Sequence, residues 1–117
     1  MVPDGIPEPG RPVRGSSTGR PIMALLDLLG RRWALRVLWE LRADALTFRD
    51  LQARCEGMSS SVLNQRLREL RAAGIVVQRD RAGYQLTQEG QALLAALTPL
   101  NDWAVRWSER GQHGRRT

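Results

Sequence analysis

The chain has 117 residues, a net charge of +6 and one cysteine. That length suits a single domain with an adequate but not large core, and one cysteine excludes an intramolecular disulfide and disfavours a Cys-ligated metal site. No apolar run approaches the roughly 20 residues of a membrane span, and the N-terminus lacks a basic-then-apolar signal pattern, so a soluble, reducing, cytoplasmic setting with no membrane contact is expected. All eighteen basic residues are Arg. Genomic base composition is the favoured reading of the missing Lys, while the positive balance itself suits a phosphate-rich partner.

Residues 1–19 are rich in Pro, Gly and Ser and read as a disordered tail; Arg11 and Arg14 lie in it. Residues 20–109 read as the folded domain. Its first helix starts near Pro21, with Ile22, Leu25, Leu26 and Leu29 at helical spacing and a stop at Gly30. A second helix is expected to carry Trp33, Val37, Leu38 and Leu41 on one face, with Arg32, Arg36 and Arg42 outside it. At helical spacing Trp33 and Trp39 read as core or interface more readily than as ligand-pocket walls.

Thr47 is the N-cap candidate for a short helix, Phe48 to Arg54, with Phe48 and Leu51 inward. Cys55 to Met58 forms a turn containing Gly57. The following stretch, MSSSVLNQRLRELRAAG (58–74), has Ser59 as N-cap candidate and Gly74 as its stop. Leu63, Leu67 and Leu70 form one stripe of a 3.6-residue helix. Roughly opposite lie Ser61, Asn64, Gln65 and Arg68, donor-rich side chains of the kind that read base edges in a DNA major groove. A short helix, a tight turn and a longer polar-faced helix make a helix-turn-helix. Cys55, within its turn, reads as a small packing residue rather than a sensor.

Beyond Gly74 the pattern changes to β. Ile75, Val76 and Val77 are β-branched, Arg79 to Gly83 is turn-like, and Tyr84 to Leu86 reads as a second strand. Helix-turn-helix followed by this hairpin is the winged-helix arrangement, with Arg79 and Arg81 as wing contacts for DNA, weighed against an ordinary solvated turn. Thr87 caps a last helix whose first turn holds Gln88 and Glu89. Leu93, Leu94, Leu97, Leu100, Trp103, Ala104 and Trp107 give this helix more apolar surface than a small core needs, and Pro99 either kinks or divides it. The surplus points to a dimer interface formed with the first helix, through Leu25, Leu97, Leu100, Trp103 and Trp107. Residues 110–117 read as a basic tail, with His113 inert. The fold class expected is α+β, mostly helical: a winged helix-turn-helix with added N- and C-terminal dimerisation helices.

The chain resembles the HxlR-type winged-helix transcriptional regulators of bacteria. The landmarks run in order: Leu28-Leu29-Gly30-Arg31-Arg32-Trp33, Val37-Leu38 and Leu41, Phe48 and Leu51, Met58-Ser59, Leu63, Gln65-Arg66-Leu67 and Leu70. Gly74-Ile75-Val76, Tyr84-Gln85-Leu86-Thr87, Gly90, Leu93-Leu94 and Trp103 complete them. The resemblance spans about residues 21–107 and implies a homodimer that binds operator DNA through paired recognition helices. Several members of that family carry a redox-sensing Cys just before the proline opening the first helix. Arg20 stands there, so the thiol switch does not carry over. The wing is also shorter than in many members.

The leading expectation is therefore a sequence-specific, homodimeric regulator of double-stranded DNA with a palindromic operator. Ser59, Ser60 and Ser61 lie at the recognition-helix N-terminus, where backbone N–H groups and the dipole favour phosphate. Asn64, Gln65 and Arg68 are the base-edge candidates, and Arg66, at the edge of the apolar stripe, reads as a brace. The alternative is a winged-helix protein-interaction module without DNA binding, but the polar face lacks the aromatic or aliphatic anchors such a module uses. An enzyme is not expected: there is no paired-carboxylate or His/Cys constellation and no Gly-rich phosphate loop. No cofactor is expected either. A small-molecule effector pocket between the dimerisation helices would have Trp33, Trp103 or Trp107 as candidate walls, residues that would serve equally as plain interface.

Overall fold

The computed structural model describes residues 20–116, with side chains to residue 111. The expected N-terminal tail at 1–19, with Arg11 and Arg14, lies outside the described residues, as does the side chain of His113. In chain order the elements are α1 (Pro21–Leu29), α2 (Ala34–Glu40), α3 (Phe48–Arg54), α4 (Ser60–Ala72), β1 (Val76–Arg79), β2 (Gly83–Leu86) and α5 (Gln88–Arg116). This is a mostly helical winged helix-turn-helix, preceded in the chain by α1 and followed by the long α5.

One contiguous core holds it together. Leu28 of α1, Val37 and Leu38 of α2, Leu51 of α3, and Leu63, Leu67 and Leu70 of α4 meet Ile75, Val76 and Leu86 of the hairpin region. Leu63, Leu67 and Leu70 are essentially inaccessible, so the apolar stripe of the recognition helix is its anchor. Cys55 is buried in the same cluster. Burial pushes its thiol pKa up, against the Arg36 charge.

The ends of α4 follow from its sequence. The Ser59 hydroxyl accepts from the Val62 N–H at 3.2 Å, satisfying one of the free donors of the first turn. At the other end Ile75 N donates to Leu70 O at 2.9 Å and Gly74 N donates to Arg71 O at 3.0 Å. That pair of bonds is a Schellman motif, and Gly74 occupies its left-handed position with φ 79°. Thr47 caps α3 by accepting from Asp50 N, and Thr87 caps α5 by accepting from Gly90 N.

β1 and β2 pair antiparallel from Val76↔Leu86 to Arg79↔Gly83 around the loop Asp80-Arg81-Ala82. Leu46 adds an isolated bridge to Tyr84 through two backbone bonds, of 2.9 and 2.7 Å. This approach is close enough that a Cβ on Gly83 would collide with the Leu46 backbone. The wing is therefore stapled to the segment leading into α3.

The structure refines three readings. In α1, Ala24, Leu28 and Leu29 are buried, Leu25 is half-buried, and Ile22 and Leu26 are over half exposed. Apolar residues cover both sides of this helix, and its smaller Ala24 side packs on the core. Trp33 is not inside the second helix. It is the N-cap residue of α2, in the left-handed region with φ 76° and with no side-chain cap bond. Tertiary contacts on both preceding residues, described below, hold it there, at a cost of order 1–3 kcal/mol. Finally, α5 is not divided: it runs through Pro99 and on past residue 110 to Arg116.

Candidate nucleic-acid interface

The recognition helix presents a mixed polar face. Ser60, Ser61, Asn64 and Arg68 are exposed, and Arg71, one turn further along, is exposed beside them. Ser59 is committed to capping, and its hydroxyl also lies 3.2 Å from that of Ser61. Gln65 sits at the edge of this face, half-buried. Its Oε1 accepts from Arg68 Nη1 at 2.9 Å and its Nε2 donates to Glu69 Oε2 at 3.0 Å. Asn64 and Arg68 thus face outward on a helix fixed from behind by three buried leucines.

Glu69 is the residue that periodicity did not single out. It is 2% exposed, the one buried charged side chain among the described residues. Arg66 Nη1 donates to its Oε1 at 2.6 Å, and Arg31 Nη1 donates to its Oε2 at 2.7 Å. Burial alone would raise this carboxyl's pKa. Hydrogen bonds from Gln65, Arg66 and Arg31, with the Arg66 charge, outweigh burial and hold it below the usual carboxylate range. Arg31 also bonds Asp27 of α1 at 3.2 Å, and Arg66 Nε donates to the Arg32 carbonyl at 2.7 Å. One carboxylate therefore ties α1 and the α1–α2 link to the recognition helix, and Arg66 is a brace in this network. The only local signals were Gln65 and Arg66, four and three positions before Glu69, within helical reach. The other partner, Arg31, lies 38 residues away in sequence.

Arg79 and Arg81 at the tip of the wing are both exposed. Elsewhere on the surface, Leu100, Trp103, Val105 and Trp107 of α5 are exposed, Trp107 by 61%, along with Leu35 and Trp39 of α2. The Trp103 and Trp107 rings stack with centroids 5.9 Å apart and 13° between planes, while the Arg42 guanidinium lies 4.1 Å from the Trp39 ring centroid. Leu97 is half-buried. A groove of about 380 Å³ runs between α2 and α5, lined by Leu35, Leu38, Trp39, Leu94 and Leu97 among others. Trp33, Trp103 and Trp107 do not line it. No helix of the described residues is long and apolar enough to cross a membrane.

A core-anchored second helix with an exposed polar face, followed by an Arg-tipped hairpin, defines the winged helix-turn-helix class. Within that class the chain belongs to the HxlR-like helix-turn-helix family, whose model matches residues 28–112. It is 34% identical over 89 residues to the HTH-type transcriptional regulator YvaP of Bacillus subtilis, covering 70% of this chain and 82% of that one. The fold is similar to that of quinone-bound YodB from B. subtilis, with a TM-score of 0.69, 30% identity and coverage of 74% and 97% of the two chains. It is also similar to a possible HxlR family transcriptional factor from Thermoplasma volcanium, with a TM-score of 0.66, 26% identity and coverage of 76% and 85%. The family is one of transcriptional regulators, not of enzymes.

Proposed function

We propose that the protein is a homodimeric, sequence-specific regulator that binds a palindromic operator in double-stranded DNA. The observation that carries this reading is the polar face of α4: Ser60, Ser61, Asn64 and Arg68 point outward while Leu63, Leu67 and Leu70 lock the opposite side into the core. In the major groove, Ser60 and Ser61 would meet phosphate together with the first backbone N–H groups of the helix. Asn64 would pair with an adenine edge, and Arg68 with O6 and N7 of guanine. Ser59 supports this indirectly by holding the helix start. Arg79 and Arg81 would contact the backbone beside the groove.

The apolar flank is assigned to a second copy. Leu100, Trp103 and Trp107 of α5, with Ile22 and Leu26 of α1, leave more exposed apolar side chains than a monomer needs to carry. Leu25 and Leu97, both half-buried, would be completed by the partner. A two-fold dimer would set its two recognition helices about one DNA turn, roughly 34 Å, apart and so favour a palindrome. YodB binds a quinone. A small-molecule effector here would find room in the α2–α5 groove rather than among Trp33, Trp103 and Trp107. A protein-interaction module without DNA binding is disfavoured by the absence of an aromatic or aliphatic anchor on the exposed face of α4.

Arg68→Ala tests the reading. Loss of a guanine contact should cost about 1–3 kcal/mol on the operator and relax preference at one base position. An equal loss on every duplex would instead make Arg68 a phosphate contact.

A further inference from the structure

We infer that Glu69 is a positioning residue for Arg68, acting by fixing which way the Gln65 amide faces. The inference rests on the reading of Arg68 as a base contact and adds two residues to the determinants of specificity.

An ionised carboxylate only accepts hydrogen bonds, whereas an amide side chain can turn over and present either its NH2 or its oxygen. The lowered pKa of Glu69 keeps it ionised at neutral pH. Its two oxygens already receive Arg31 and Arg66, and Gln65 approaches Oε2 at 3.0 Å. Only the NH2 of Gln65 can make that approach, because the reversed amide would set its oxygen against the oxygen of a carboxylate that is 2% exposed. The carbonyl end is thereby committed to the outer side, where Arg68 Nη1 donates to it at 2.9 Å.

The consequence falls on the one long, rotamer-rich side chain of the reading face. Arg68 is exposed, and no buried wall restricts it. The Gln65 oxygen uses one of its five N–H donors and leaves a pair for O6 and N7 of a guanine. Preorganising the arginine in this way lowers the ordering cost of the base contact. Arg71, three residues further on, has no equivalent support from Glu69. The chain of bonds therefore runs from Arg31 in the α1–α2 link, through a buried carboxylate and an amide of fixed sense, to a guanidinium on the DNA-facing surface.

The test compares the wild-type chain with Arg68→Ala, Gln65→Met and Glu69→Gln variants in selections from a randomised duplex library, scoring preference position by position. Arg68→Ala should flatten one base-pair position in each half-site. Gln65→Met keeps side-chain length at a half-buried position but removes both hydrogen bonds. Glu69→Gln lets the Gln65 amide turn over. Each should weaken discrimination at that same position by roughly two- to tenfold, leaving the others intact. Adding Gln65→Met to Arg68→Ala should cost nothing more at that position. If Gln65→Met instead flattens a different position, Gln65 reads a base itself and the positioning role is overturned. Unchanged preference in Gln65→Met, which does not depend on the buried site folding around a new residue, overturns it too, and so does unchanged preference in a folded Glu69→Gln. If Arg68→Ala weakens all sequences equally, the underlying reading of Arg68 fails and this inference fails with it.

Discussion

In the proposed dimer, replacing Trp107 by Arg should shift the equilibrium from dimer to monomer at micromolar concentration. A Trp side chain buries up to about 250 Å², and Trp107 is 61% exposed in the single chain. Covering that area in an interface removes roughly 90–150 Å² from water, worth about 2–4 kcal/mol per protomer at 25 cal/mol per Å². In a two-fold dimer the residue counts twice. Even the lower figure, about 4 kcal/mol in total, weakens dimerisation roughly a thousandfold. The stack with Trp103 at 5.9 Å and the cost of burying a guanidinium add to this, while the helix itself tolerates Arg well. Sedimentation equilibrium across a concentration series would read the dissociation constant directly. A variant whose dimer constant is unchanged would remove the Trp103–Trp107 face from the interface.

Other perturbations separate the parts of the molecule. Arg81→Ala should weaken binding on any DNA and flatten the dependence of log K on log salt by about one unit; an unaltered slope would take the wing out of the interface. Glu69 has its carboxyl pKa depressed in the folded state, so the unfolded chain takes up that proton first. Its contribution to stability is complete at neutral pH, begins to fade as pH falls toward about 4.5, and is lost through the lower folded value. Urea melts of wild type and Glu69→Gln should therefore converge on acidification, and a constant difference down to about pH 3 would contradict this. Gly74→Ala should cost about 1–2 kcal/mol by forcing a Cβ into the left-handed region. Apart from the glycine and its two chain neighbours, no atom stands within 4 Å of that Cβ, so a much larger drop in the urea midpoint would require a clash that this geometry does not contain.

The recognition helix was legible in the sequence because all its local signals agree. A serine cap, leucines at 63, 67 and 70 and a terminal glycine all specify the same element. The wing followed from a change of period after Gly74 and a turn-forming run ending at Gly83. The first helix was harder because it is apolar on two sides. Ala24, Leu28 and Leu29 face the core, and Ile22 and Leu26 face outward. Periodicity alone cannot rank two apolar faces. Trp33 has no local reason for a left-handed backbone. Arg31 and Arg32, immediately before it, are held by Glu69 and Arg66 of a distant helix. Glu69 was missed for a related reason: an acid in an Arg-rich helix reads as solvated, and its burial depends on an arginine brought by the tertiary fold. The wing's staple to Leu46 has no sequence signature at all, since it uses only backbone groups.

Whether the protein reads a palindromic site as a dimer is answered by selecting fragments of the source genome on the purified protein. Enriched fragments should share two inverted half-sites with centres about 10 base pairs, or a multiple of one turn, apart. Enrichment without a shared sequence, or around one isolated half-site, would contradict that reading.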